Sequence, residues 1–130
     1  MARILIVDDS PSQLLGIKRL VERLGHEVVT AEDGAAGVEA ARREKPDLIL
    51  MDVVMPNLNG FQATRSITRE PATKHIPVIL VTTKDQDTDR MWGMRQGARA
   101  YLTKPFSEEE LSEVIGANLG VGAPDEPTAA

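Results

Sequence analysis

The sequence predicts an α/β fold, a doubly wound parallel sheet of five strands covered on both faces by five helices. Three observations point to it. Short apolar runs such as Ile4-Leu5-Ile6-Val7 and Val78-Ile79-Leu80-Val81 are strand-length and lack polar alternation, as strands buried on both faces do. Amphipathic stretches separate the runs, and right-handed crossovers lay such helices over the two faces of one sheet. The chain has 130 residues, 42% of them hydrophobic, which is enough for one core and too little for two domains.

Strands are expected at Ile4–Val7, Glu27–Thr30, Leu48–Met51, Val78–Val81 and Ala100–Leu102. After the first run, Ser10 is a helix N-cap candidate and Pro11 suits the first helical position. Leu14, Ile17, Val21 and Leu24 follow at helical spacing, and Gly25 ends the helix. Further helices are expected over Gly34–Arg43, Gly60–Thr68 and Thr88–Gly97, although Gly37 and Gly93 weaken two of them. The last helix opens on the capping box Ser107-Glu108-Glu109-Glu110 and places Leu111, Val114, Ile115 and Leu119 on one face. From Val121 to Ala130 the composition turns to Gly, Pro, Ala and acidic residues without periodicity. The expected organisation is therefore one domain over residues 1–120 and a disordered tail over 121–130.

Acidic residues outnumber basic ones by 20 to 15, for a net charge of −5. Nothing in that balance attracts a nucleic-acid backbone or an anionic membrane. The chain has no cysteine, which excludes disulfides, thiolate nucleophiles and zinc-thiolate sites and agrees with a reducing compartment. No apolar run approaches the ~18 residues of a membrane helix. Asp8 and Asp9 interrupt the first run too early for a signal peptide, so a soluble cytoplasmic protein is expected.

In a doubly wound sheet the ligand site lies beyond the carboxyl ends of the strands. Asp8-Asp9, Asp52, Thr82-Thr83 and Lys104-Pro105 follow the first, third, fourth and fifth strands. Each has an ordinary reading: an Asp after a strand can be only a helix cap, a loop Thr bonds backbone, and a Lys is often solvated. Together they place matching chemistry on four loops of one sheet edge. Three clustered carboxylates repel one another unless a cation compensates. With only oxygen donors present, that cation is expected to be Mg²⁺, with Mn²⁺ able to substitute. A carboxylate beside such an ion can attack phosphorus. Asp52 suits this role because it ends the most continuously apolar strand, whereas Asp8 and Asp9 begin a loop suited to holding metal. Lys104 and Thr82 would stabilise charge on the phosphoryl oxygens.

The segments Ile4-Leu5-Ile6-Val7-Asp8-Asp9-Ser10, Leu50-Met51-Asp52 through Met55-Pro56-Asn57-Leu58-Asn59-Gly60, Pro77-Val78-Ile79-Leu80-Val81-Thr82 and Tyr101-Leu102-Thr103-Lys104-Pro105-Phe106 resemble the CheY-like receiver domains of two-component response regulators. The resemblance runs from Ala2 to about Gly120. It implies the flavodoxin-like strand order 2-1-3-4-5. It also implies phosphorylation of Asp52, a Mg²⁺ held by Asp8, Asp9, Asp52 and the backbone carbonyl of Val54, contacts from Thr82 and Lys104 to the phosphoryl group, and a cis Lys104-Pro105 bond. Thr82 and Tyr101 would form the switch, Tyr101 moving between exposed and buried positions. The stretches Asp52–Arg65 and Val81–Asp89 resemble most the stand-alone regulators of type IV pilus twitching motility. Implied partners are a sensor histidine kinase of the CheA kind and a protein target bound through the fourth helix, fifth strand and fifth helix, the chain itself being a monomer. With no output domain, it would act as a protein-binding switch or a phosphate sink. The alternative is a Mg²⁺-dependent phosphatase with a covalent aspartyl intermediate. It is disfavoured because Val54 stands where an acid-base carboxylate, two residues past Asp52, would be needed.

The remaining notable residues are expected to be structural. His26 and His75 lack partners at metal-ligand spacing, and Met51, Met55, Met91 and Met94 read as packing residues. Trp92 fits core or recognition equally.

Overall fold

The computed structural model describes residues 1–119. Its elements alternate as β1 (Arg3–Val7), α1 (Pro11–Arg23), β2 (Glu27–Ala31), α2 (Gly34–Glu44), β3 (Leu48–Asp52), α3 (Gly60–Arg69), β4 (Val78–Thr82), α4 (Asp87–Arg95), β5 (Ala100–Thr103) and α5 (Glu108–Asn118). All strand pairs are parallel, in the order β2-β1-β3-β4-β5. The five-stranded fold implied by the resemblance is therefore present. The tail over residues 121–130 lies outside the described residues.

Alternation along each strand divides the core into two layers. Leu5, Val7, Ile49, Met51, Val78 and Leu80 pack toward Val38 and Ala41 of α2 and Ala63 and Ile67 of α3. Ile4, Ile6, Leu48, Leu50, Ile79 and Val81 pack toward Leu14, Ile17 and Val21 of α1 and Leu111 and Ile115 of α5. Burying each such side chain is worth roughly 1.5–3 kcal/mol. α1 and α5 start where their caps dictate: Ser10 accepts from the Gln13 N–H, and Ser107 forms the expected reciprocal capping box with Glu110. Asp33 and Asn59, not singled out in the sequence, cap α2 and α3 in the same way.

Several strands run past their apolar segments. β3 and β4 each extend one residue further than expected, so Asp52 pairs with Val81 and Thr82 with Thr103 inside the ladder. Backbone pairing continues where hydrophobicity stops, because a polar side chain does not interrupt a parallel ladder. Gly37 and Gly93 sit within helices. A Cβ at Gly37 would lie 2.9 Å from Val7 Cγ2, and one at Gly93 would press on Leu80, so close packing on the sheet outweighs the weak helix propensity of glycine. α4 ends at Arg95, before the expected Gly97, which has φ +104.

The assignment of Met91 and Met94 to packing is incorrect. Met51 and Met55 are buried, but Met91, Trp92 and Met94 are 57%, 49% and 47% exposed. Gly93 is the buried residue of α4, and the helix rests on the sheet through that narrow contact. His26 bonds across the fold rather than locally, Nδ1 accepting from the Ala2 N–H at 3.1 Å. Among the described residues, no helix is long and apolar enough to cross a membrane.

Gly60 brings the start of α3 against the end of β3, and a Cβ there would collide with the Asp52 carbonyl. Because backbone atoms cannot yield as a side chain can, Gly60→Ala is expected to destabilise the fold by about 1–3 kcal/mol. Gly16, exposed within α1, has nothing within 4 Å of its Cβ position, and Gly16→Ala should stabilise by about 0.4–1 kcal/mol. Urea denaturation of both variants checks the opposite signs.

Candidate functional site

Strand pairing brings the acidic residues together. Val7 pairs with Met51 across β1 and β3, so the chain emerges from adjacent strands directly into Asp8 and Asp52. Asp8 is almost fully buried, Asp52 is 8% exposed and Asp9 is exposed. Carboxylate oxygens of Asp8, Asp9 and Asp52 all lie within 4.8 Å of one another. Asp8 Oδ1 accepts from the Ser10 N–H at 2.9 Å, and Asp52 Oδ1 accepts from the Val53 N–H at 2.9 Å. The Gly60 N–H donates to the Val53 carbonyl at 2.9 Å, fixing the loop beneath Asp52.

Lys104 enters from the opposite side, behind a Lys104-Pro105 bond that is cis. Its Nζ donates to Asp8 Oδ2 at 3.1 Å and to Gln13 Oε1, and stands 3.9 Å from Asp52 Oδ1. Burial pushes the Asp52 carboxyl up to about 6, against the lowering effect of Lys104 and with the Asp8 charge adding to the rise. One ammonium among three carboxylates leaves excess negative charge concentrated in a cleft of about 270 Å³. An all-oxygen donor set with that excess fits a hard divalent cation such as Mg²⁺. Asp8, Asp9, Asp52 and Val54 line the cleft.

Thr82 is fully buried at the end of β4, its Oγ1 accepting from the Lys84 N–H at 3.2 Å. Thr83 lines the cleft beside Lys104, where sequence reasoning expected Thr82. Tyr101 is half-buried on β5 and donates its hydroxyl to the Lys84 carbonyl at 2.8 Å. Burial, followed by the Asp89 charge, raises its phenol above the ordinary value, which keeps it a donor. Arg90 of α4 lies 5.2 Å over the Tyr101 ring and donates to Thr103 Oγ1 at 2.9 Å. Lys84 therefore joins Thr82 to Tyr101 through its backbone. Gln13 and Ser10 also line the cleft and were missed in the sequence. Their signal was position, since the first turn of a helix capped by Ser10 must lie against Asp8 and Asp9.

A family model described as the response regulator receiver domain matches residues 4–116. Protein PilH of Pseudomonas aeruginosa PAO1 is 60% identical over 119 residues, covering 92% of this chain and 98% of its own. The regulatory protein PhoP of Bacillus subtilis is 37% identical over 117 residues, 90% of this chain but 48% of PhoP. Among solved structures, the Vibrio cholerae chemotaxis protein CheY4 superposes with a TM-score of 0.86 at 32% identity, covering 92% and 99% of the two chains. The receiver domain of a Pseudomonas aeruginosa PAO1 sensor histidine kinase, with magnesium coordinated in its active-site cleft, gives 0.86 at 33% identity, covering 92% and 98%.

The raised Asp52 value has a consequence for stability. A carboxyl whose folded value lies above its ordinary 3.8 binds its proton more tightly when folded. Stability is then greatest, for this group, below pH ~4 and is lost as pH rises through about 6. Asp52→Asn keeps the acceptor oxygen and removes the charge. Without divalent cation, the variant should match the parent near pH 4 and exceed it by about 1–3 kcal/mol above pH 7. Added Mg²⁺ should narrow the gap by stabilising the parent. Thermal unfolding across that pH range, with and without Mg²⁺, is the measurement.

Proposed function

The chain belongs to the response regulator receiver domain family, and from that premise we propose that it is a stand-alone signalling switch accepting a phosphoryl group on Asp52. The supporting observation is the convergence of the Asp8, Asp9 and Asp52 oxygens within 4.8 Å, with the Lys104 ammonium 3.9 Å from Asp52. Asp8, Asp9, Asp52 and the Val54 carbonyl would hold Mg²⁺, or Mn²⁺ in its place. When bound, the ion neutralises charge on the phosphoryl oxygens and orients the donor.

The protein groups account for the rest of the chemistry. An Asp52 carboxylate oxygen attacks phosphorus, the bond from phosphorus to a phosphohistidine nitrogen breaks, and the imidazole leaves with that electron pair and is then protonated. The Val53 N–H fixes the orientation of the Asp52 carboxylate through Oδ1. Lys104 moves from Asp8 toward the phosphoryl oxygens as charge builds there. Thr82 must turn from the Lys84 N–H to reach the same group, and this exchange disturbs the segment that accepts the Tyr101 hydroxyl. The altered surface is α4, β5 and α5, where exposed Met91, Trp92 and Met94 supply the apolar, sulfur-rich contacts that suit a protein partner.

The donor is a sensor histidine kinase of the CheA kind and the chain acts as a monomer. The pathway is type IV pilus twitching motility, supported by the 60% identity to PilH across nearly all of both chains. A small-molecule phosphatase is poorly served by this cleft because Val54, which lines it, stands two residues past Asp52 where that reaction needs an acid-base carboxylate.

Asp52→Asn should retain the fold yet take no label from a phosphodonor in Mg²⁺, because an amide is a poor nucleophile toward phosphorus. Full labelling of that variant would place the acceptor elsewhere. Asp9→Ala should weaken Mg²⁺ binding at least about tenfold by removing a ligand and a charge, as read by calorimetric titration.

A further inference from the structure

The Lys104 stem is packed, its side chain being 13% exposed, so its ammonium group can sample only a small volume. Nζ meets two acceptors there, Asp8 Oδ2 at 3.1 Å and Gln13 Oε1, while Asp52 Oδ1 at 3.9 Å lies just beyond hydrogen-bonding distance. Gln13 occupies the first turn of α1, where the Ser10 cap receives its backbone N–H at 3.5 Å. Its backbone is thereby tied to the segment that carries Asp8 and Asp9. With Thr83 and Lys104, Gln13 lines both the acidic cleft and an adjoining apolar groove that includes Ile17, Leu20, Pro105 and Phe106.

The chemistry of the amide suits this position. A glutamate would add a fourth carboxylate to a group already crowded with negative charge, and an apolar residue would offer Lys104 no acceptor. An amide oxygen holds an ammonium without adding charge. Asp8, once committed to a divalent cation, has less negative charge to offer Lys104, whereas the Gln13 oxygen is unaffected. We infer that Gln13 is a positioning residue for Lys104, keeping its ammonium at the α1 side of the cleft within a short movement of a phosphoryl group on Asp52. The inference rests on the reading of Asp52 as the acceptor.

The test uses Gln13→Met and Lys104→Met, singly and together, in the full chain. In urea without divalent cation, Gln13→Met should change the unfolding constant by about 2- to 10-fold when Lys104 is present, the worth of one hydrogen bond, and hardly at all in Lys104→Met. Gln13→Glu, which keeps an acceptor and adds a charge, should couple to Lys104 at least as strongly as Gln13 does. With saturating Mg²⁺ and phosphoramidate as donor, Gln13→Met alone should be phosphorylated about 3- to 10-fold more slowly, with Mg²⁺ affinity by calorimetry unchanged. Additive effects of the two substitutions on unfolding, or an unchanged phosphorylation rate, would overturn the inference. Asp52→Asn in the same assay separates the failures: labelling of that variant sinks the reading of the site, whereas a silent Asp52→Asn beside an unaltered Gln13→Met sinks only the role of Gln13.

Discussion

The parallel pairing of β1 with β3 is the constraint on which the rest of this protein depends. With Val7 opposite Met51, Asp8 and Asp52 have to leave the sheet side by side, and the electrostatic cost follows from that register. A slip of one residue would turn every side chain of a strand to the other face, so the two core layers that lock the register also lock the carboxylates together. Hydrophobic burial, worth far more in sum than the repulsion of a few charges, holds the acidic cluster in place.

That repulsion is relieved locally and incompletely. Lys104, tethered to the end of β5, pairs with Asp8 more closely than with Asp52, and Asp52 keeps a raised proton affinity as a result of burial. An unmet demand for positive charge is what a divalent cation can satisfy, and under the proposed function the same residues would then face an incoming phosphoryl group. Stability and that proposed chemistry compete at Asp52, the ordinary relation between a buried polar group and a functional site.

Short polar links run from the cleft across β4, β5 and α4. Thr82 Oγ1 engages the Lys84 N–H, the Lys84 carbonyl engages Tyr101, and Arg90 covers the Tyr101 ring and bonds Thr103. α4 rests on the sheet at Gly93 and leaves Met91, Trp92 and Met94 exposed.

The sequence by itself determined the fold class and the order of elements, whereas β2, β3, β4 and β5 each end one residue later than their apolar runs. Burial on both faces of a parallel strand leaves an unbroken apolar run, and helix starts need caps such as Ser10 and Ser107, so both signals are local. The polar residues following those runs identified Asp8, Asp9, Asp52 and Lys104, which the fold brings together. Only the tertiary structure decided that Thr82 is buried while Thr83 lines the cleft, that Gln13 bonds Lys104, and that Met91 and Met94 face solvent. Those outcomes depend on what packs opposite a residue: a methionine on a helix is core only if another element covers it, and an amide meets an ammonium only when a helix turn and a loop about ninety residues apart are folded onto one edge.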